Sequence, residues 1–238
     1  MRTCAGISAR QYPLPSLAMQ TGATMVEFII VMPIALLLVL AVIQLGLMFS
    51  AKEVVNEAAF LAARAGSVQN AQVAPMTAAM QKGLTPFYQD TTITNPTARL
   101  LGALNAARQD TSFLTIEVLN PTPAAFQAFG TTSGASQGHR YIPNDNLEYR
   151  PHTAIGGLSV QDANALKIKV TYGYQLKVPL MQSVFKAIMC GIGGGLNDFG
   201  ANYGATSGTA SDCATYYSQG RVPIVTYATV QMQTPAWQ

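Results

Sequence analysis

From Phe28 to Ala51 the chain runs for 24 positions without an Asp, Glu, Lys, Arg or His. Wound as an α-helix, such a run spans about 36 Å, enough to cross a bilayer with some tilt. Three readings compete for it: a cleaved secretory signal, a plain membrane anchor, and an anchor helix preceded by a removable leader. The apolar core of a secretory signal is about 7–15 residues, so this run is too long for one. Its closing tripeptide, Phe49-Ser50-Ala51, also carries a bulky residue where a signal cleavage site wants a small one. A plain anchor leaves Glu27 unexplained, because a carboxylate at the mouth of a bilayer helix is costly unless paired or held at the interface.

Gly22 gives Glu27 a use. Cleavage after Gly22 would leave a chain beginning Ala23-Thr24-Met25-Val26-Glu27-Phe28, with Glu27 as its fifth residue. That places the carboxylate about one helical turn from a new α-amino group. It could then offset that charge, on its own chain or on a neighbouring subunit. The alternative is a Glu near a helix start meeting the positive end of the helix dipole. On these residues alone both stand.

The stretch 22–66 resembles the N-terminal region of TadE-like proteins, minor pilins or pseudopilins of tight-adherence (Flp-type) type IV pilus systems. The resemblance is carried by Gly22, by Val26-Glu27-Phe28, by Pro33 inside the apolar run, and by Gln44-Leu45-Gly46 near its end. The Ala-rich continuation Ala58-Ala59 and Ala62-Ala63-Arg64-Ala65-Gly66 completes it. A Val-Thr-Tyr strand sequence such as 170–172 also occurs in the C-terminal regions of such proteins. The resemblance implies cleavage between Gly22 and Ala23 by a membrane prepilin peptidase. It implies a single-pass protein of a bacterial inner membrane, N-terminus cytoplasmic and C-terminal domain periplasmic or, in a pilus, at the cell surface. Its partners would be other pilin or pseudopilin subunits and the inner-membrane assembly platform. Prepilin leaders usually carry basic residues close to the cleavage point. Here the nearest is Arg10, and a start at Met19 is the alternative.

Charged residues make up 11% of the chain, against about 25% in soluble domains. The formal charge of +3 comes from scattered Lys and Arg with no basic run, so the footprint of a nucleic-acid binder is missing. Loss of residues 1–22 would remove Arg2 and Arg10 and lower that charge to +1. It would also remove Cys4 and leave Cys190 and Cys213, 23 positions apart. In an oxidising compartment these two suit a disulfide, and closing such a loop contributes on the order of 3 kcal/mol. Two unrelated buried thiols are the alternative.

Beyond the apolar run the helix continues to Gly66, with Lys52, Glu53 and Glu57 marking a wet face. Ala58, Ala62 and Ala65 form a small-residue strip, either the seat of a folded domain or a packing face for a neighbour. Helical patterns cover 72–82 and 96–108, the second with Asn95 as its cap and Pro96 at its start. Alternating strands read at 113–119, 165–178 and 222–233. Residues 130–163, rich in Gly, Ser, Asn and Pro, read as a long surface excursion.

Signs of chemistry are sparse. Gly191–Gly195 lacks the GK[ST] ending of a phosphate loop, and neither GxSxG nor HExxH occurs. The only histidines are His139 and His152. Asp145 and Glu148 with Asn144 and Asn146 could offer oxygen ligands to calcium, but a solvated polar loop accounts for them. Phe126, Phe129, Tyr141 and Tyr149 could form a contact surface, or simply pack. No cofactor and no metal is called for.

The expected architecture is α+β and pilin-like: a long N-terminal transmembrane helix packed on a small antiparallel sheet with flanking short helices. The expected divisions are a leader at 1–22, the helix at 23–66 with its membrane span at about 28–51, and an extracytoplasmic domain at 67–238. The expected function is that of a minor pilin or pseudopilin acting in pilus assembly, adhesion or secretion, not an enzyme. The alternatives are a membrane-tethered binding module that never assembles and an anchored hydrolase.

Overall fold

The computed structural model describes residues 23–132, 138–190 and 213–238. They fall into two units, one ending at Leu40 and the other Ala41–Gln238. One helix, α1 (Ala23–Val68), contributes to both. Pro33 lies inside it without ending it, although proline has no amide hydrogen to give the carbonyl of Ile29.

Within the second unit, α1 from Ala51 onward carries the core. Ala51, Val55, Ala58, Ala59, Ala62 and Ala63 are all buried. The small-residue strip is therefore the seat of the folded domain. Its smallness is used at the crossing with α2 (Val73–Gly83), where a Cβ on Gly83 would stand 2.7 Å from the Ala58 Cα. A Cβ on Gly66 would likewise meet Met76 and Leu166. Met76 and Met80 of α2 are fully buried in the same core.

Helix α3 (Pro96–Gln109) starts as its sequence dictates: the Asn95 side chain accepts from the amides of Thr97 and Ala98, and Pro96 takes the first position. A single 3-10 turn, Asp110–Phe113, leads into β1 (Leu114–Asn120). The main sheet is antiparallel, in the order β1-β4-β5, with β4 (Ala165–Gln175) at its centre and β5 (Arg221–Gln231) beside it. Eleven residue pairs join β4 to β5, from Ala165 opposite Gln231 to Gln175 opposite Arg221. Leu166, Ile168, Val170, Tyr172 and Tyr174 point into the core, as do Val222, Ile224, Thr226 and Ala228. Lys167 and Thr229 face outward, and Lys169 meets Glu117 of β1 at 3.2 Å. This is the period-two pattern of a sheet with one face wet. The Thr226 hydroxyl donates to the Asn56 side chain of α1 at 2.6 Å and ties the sheet to the helix.

The strands sit where their alternation places them, with shifted ends: β1 runs one residue later than 113–119, β5 stops at Gln231 instead of 233, and β4 is shortened most. β4 stops at Gln175 because the next residues leave the ladder: the Val178 amide donates to the Gln44 side chain of α1 at 3.0 Å.

The stretch 130–163 differs from a plain surface excursion. A second small sheet joins β2 (Thr131–Thr132), β3 (Arg140–Ile142) and β6 (Ala236–Trp237), with α4 (Pro123–Phe129) ahead of it and the one-turn α5 (Val160–Ala163) behind. Ile142 and Ala163 are fully buried in the main core, and the buried Asn164 amide donates to the carbonyls of Pro143 and Val160. Helix α1 ends in a seam with the C-terminus: the Ser67 carbonyl accepts the amides of Gln233 and Thr234, and the Asn70 carbonyl accepts that of Trp237. The last helix, α6 (Met181–Cys190), is joined to Cys213 by a disulfide from Cys190.

Candidate functional site

The candidate site starts with the side chains of α1 that are exposed among the described residues. Met25, Val26, Phe28, Ile29, Ile30 and Val31 lead a run that remains exposed to Val39. Phe28 keeps 63% of its surface. Such a face is stable only in lipid or against other apolar helices. A single N-terminal apolar helix of this kind is consistent with a single-pass membrane protein.

Gly22, the residue before the anticipated junction, lies outside the described residues, as do the leader, Cys4 and the Gly191–Gly195 cluster. Ala23 is the first residue of α1. Glu27 stands one turn further on, exposed, and among the described residues no ion pair engages it.

Where the domain begins, α1 changes character. Gln44 is fully buried, with its carbonyl oxygen on the Val178 amide and its amide nitrogen without a partner among the described residues. Next to it, a shallow apolar groove of about 240 Å³ runs between α1 and β5, lined by Leu45, Met48, Phe49 and Val225 among others.

A polar cluster that no sequence pattern announces lies where the turn after α3 meets β4 and β5. Asp110 and Arg221, 111 positions apart, form a two-pronged pair at 2.7 and 2.8 Å. The Arg221 guanidinium also donates to the Gly173 carbonyl and lies 3.8 Å above the Phe113 ring. Tyr88 donates to Asp110 and shares a 2.7 Å hydrogen bond with Tyr172. Burial first, then the bond to Asp110, drives the Tyr88 hydroxyl far above its ordinary titration range. Burial also raises Tyr172 and Tyr174. The cavity beside the cluster holds about 20 Å³, room for a single water and no substrate. It is a structural clasp joining the turn after α3 to β4 and β5.

The other candidates do not converge. His139 stacks on Trp237 with ring centres 5.4 Å apart, while His152 lies exposed. Asp145 is held by Arg150 at 3.0 Å. Among the described residues no three His, Cys, Asp or Glu side chains gather as metal ligands would. Phe126 packs in the core, and Tyr149 alone of the aromatic group is largely exposed.

The exposed helix start, which contains Glu27 and Pro33, lies within the stretch that matches a family model. Residues 22–64 match the family TadE, described as TadE-like protein. The N-terminal segment is TadE-like. The TadE-like segment thus takes in the exposed run, the buried Gln44 and most of the alanine strip that seats the domain, and it suggests involvement in a Tad pilus system. No curated protein and no solved structure matches the chain.

Proposed function

We propose that the chain is a minor pilin or pseudopilin of a tight-adherence pilus, made as a prepilin and cleaved between Gly22 and Ala23 by a prepilin peptidase. The observation that carries this reading is the coincidence of the TadE-like match with an apolar helix face that is exposed among the described residues. After cleavage the same helix serves twice, first as the bilayer tether and then as a packing surface among other pilin helices. Val26 and Phe28 beside Glu27 supply apolar contact. Glu27 offsets an α-amino charge, its own or a neighbour's, inside a medium where an unpaired charge is costly. Pro33 leaves the Ile29 carbonyl without its helical donor and gives the packed helix a point of local adjustment. The chain is a substrate of the peptidase and carries out no catalysis itself. Its domain lies outside the cytoplasmic membrane, where the Cys190–Cys213 disulfide is stable.

The test is Glu27→Ala in the native host. Cleavage should persist, because the junction is unchanged, while the amount of the protein in sheared filaments should fall about tenfold or more, the equivalent of about 1.4 kcal/mol or more per incorporation step. Undiminished incorporation would remove the charge-pairing role. A protein that never leaves the membrane fraction, even unaltered, would point instead to a tethered binding module.

A further inference from the structure

The ladder between β4 and β5 ends at Gln175 opposite Arg221. The connection between the two strands, residues 176–220, starts and finishes beyond that ladder, and its described parts are 176–190 and 213–220. The Leu176 amide donates to the Gly220 carbonyl and closes its neck. The Cys190–Cys213 disulfide joins the two described arms a second time. Among the described elements, α6 packs chiefly on the 3-10 turn Tyr217–Gln219 of the other arm. Met181 is the one buried residue of α6. Leu176, Tyr217 and Val222, with Phe185 and Met189 against them, form an apolar cluster of their own beside the main core.

The hold of this small body on α1 is slight, and it falls within the unit that begins at Ala41. Met48 packs against the cluster. Among the described residues, one hydrogen bond joins 176–190 to α1: the Val178 amide donates to Gln44 Oε1 at 3.0 Å. That bond is one-sided. Gln44 is fully buried, and its Nε2 has no partner among the described residues. A buried donor left unpaired opposes the shut arrangement, and water would pair it on opening. Leu180 opposes it too, held at a φ of 66° that leucine rarely adopts. Lifting 176–190 away from α1 would break no bond of the β4–β5 ladder.

We propose that residues 176–190 are a strap shut on α1 by the Gln44 side chain, and that the strap opens together with its stapled arm, 213–220, while the sheet stays intact. Opening uncovers Met48 and Val222, which also line the apolar groove between α1 and β5. The groove is then the open part of a longer apolar surface whose remainder the strap controls. The inference is independent of cleavage and of filament incorporation.

The test is hydrogen exchange read by mass spectrometry on the full chain in detergent micelles. Amides of 176–190 should exchange about 100-fold faster than those of Leu166–Tyr174 in β4, because opening the strap does not require unfolding the sheet. Gln44→Ala takes the acceptor from the Val178 amide in the shut state. It should speed exchange throughout 176–190 by about a further tenfold and leave β4 and β5 unchanged. Phe185→Ala weakens the strap from its own cluster and should act in the same direction, which keeps the test open if Gln44→Ala folds poorly. Peptides from 213–219 should follow those from 176–190 in both variants. Exchange of 176–190 as slow as that of β4 would overturn the proposal, as would variants that leave its rate unchanged. Acceleration that reaches β4 and β5 equally would overturn it, because the strap would then belong to the cooperative unit of the sheet. Fast exchange in Met181–Cys190 with Val178 still protected would overturn it too, since α6 would be fraying on a strap that stays shut.

Discussion

Asp110 and Arg221 keep 15% and 13% of their side-chain surface, so their pairing belongs to the class in which removing one partner leaves an uncompensated, largely buried charge. Asp110→Ala should therefore lower the free energy of unfolding by about 3 kcal/mol, measured by denaturant titration. Adding Arg221→Met should return most of the loss, since the aliphatic replacement still packs on Phe113 and needs no partner. The tyrosines of the same clasp set an alkaline limit. Tyr88, Tyr172 and Tyr174 titrate higher in the folded protein than in the unfolded chain. Above about pH 10, the ordinary tyrosine value, the unfolded state loses protons that the folded state keeps. Stability should thus be level from neutral pH to that point and fall steadily above it. Unfolding followed together with absorbance of tyrosinate would show both at once. A chain that is equally stable on both sides of that point would contradict the burial of these hydroxyls.

Elements whose whole length follows one period were legible beforehand; elements made by distant partners were not. β4 alternates from Leu166 to Tyr174 and could be read directly, as could the Asn95 cap of α3. β2, β3 and β6 are two or three residues each, too short to carry a period, and exist because β3 pairs with β2 on one side and with the C-terminal β6 on the other. Asp110 and Arg221 belong to no motif; only the fold brings them together. Gln44 reads as part of an apolar membrane run, and only its bond to Val178 shows that the domain has already begun there. The alanine strip could be read as small but not as occupied, since the sequence does not say which element fills it. Gly83 is part of the answer. In an exposed helix, Gly→Ala is stabilising by up to about 1 kcal/mol. Here the added methyl would meet the Ala58 backbone, which cannot swing aside. Gly83→Ala should instead destabilise the domain by about 1–3 kcal/mol, and a thermal melt fixes the sign.

At the scale of the molecule, the chain divides its residues between two tasks. The domain from Ala41 onward has its own core, ion pairs and disulfide. The residues before Leu40 are apolar and exposed among the described residues, a surface suited to lipid or to an assembly. A protein built this way needs a device that makes one helix acceptable in both settings, and the Gly22–Glu27 junction is the device proposed. The most direct measurement is the N-terminal sequence of the protein recovered from its native membrane and from sheared filaments. The account predicts a mature chain that begins Ala23-Thr24-Met25-Val26-Glu27. An N-terminus still upstream of Gly22 in protein recovered from functioning filaments would contradict it.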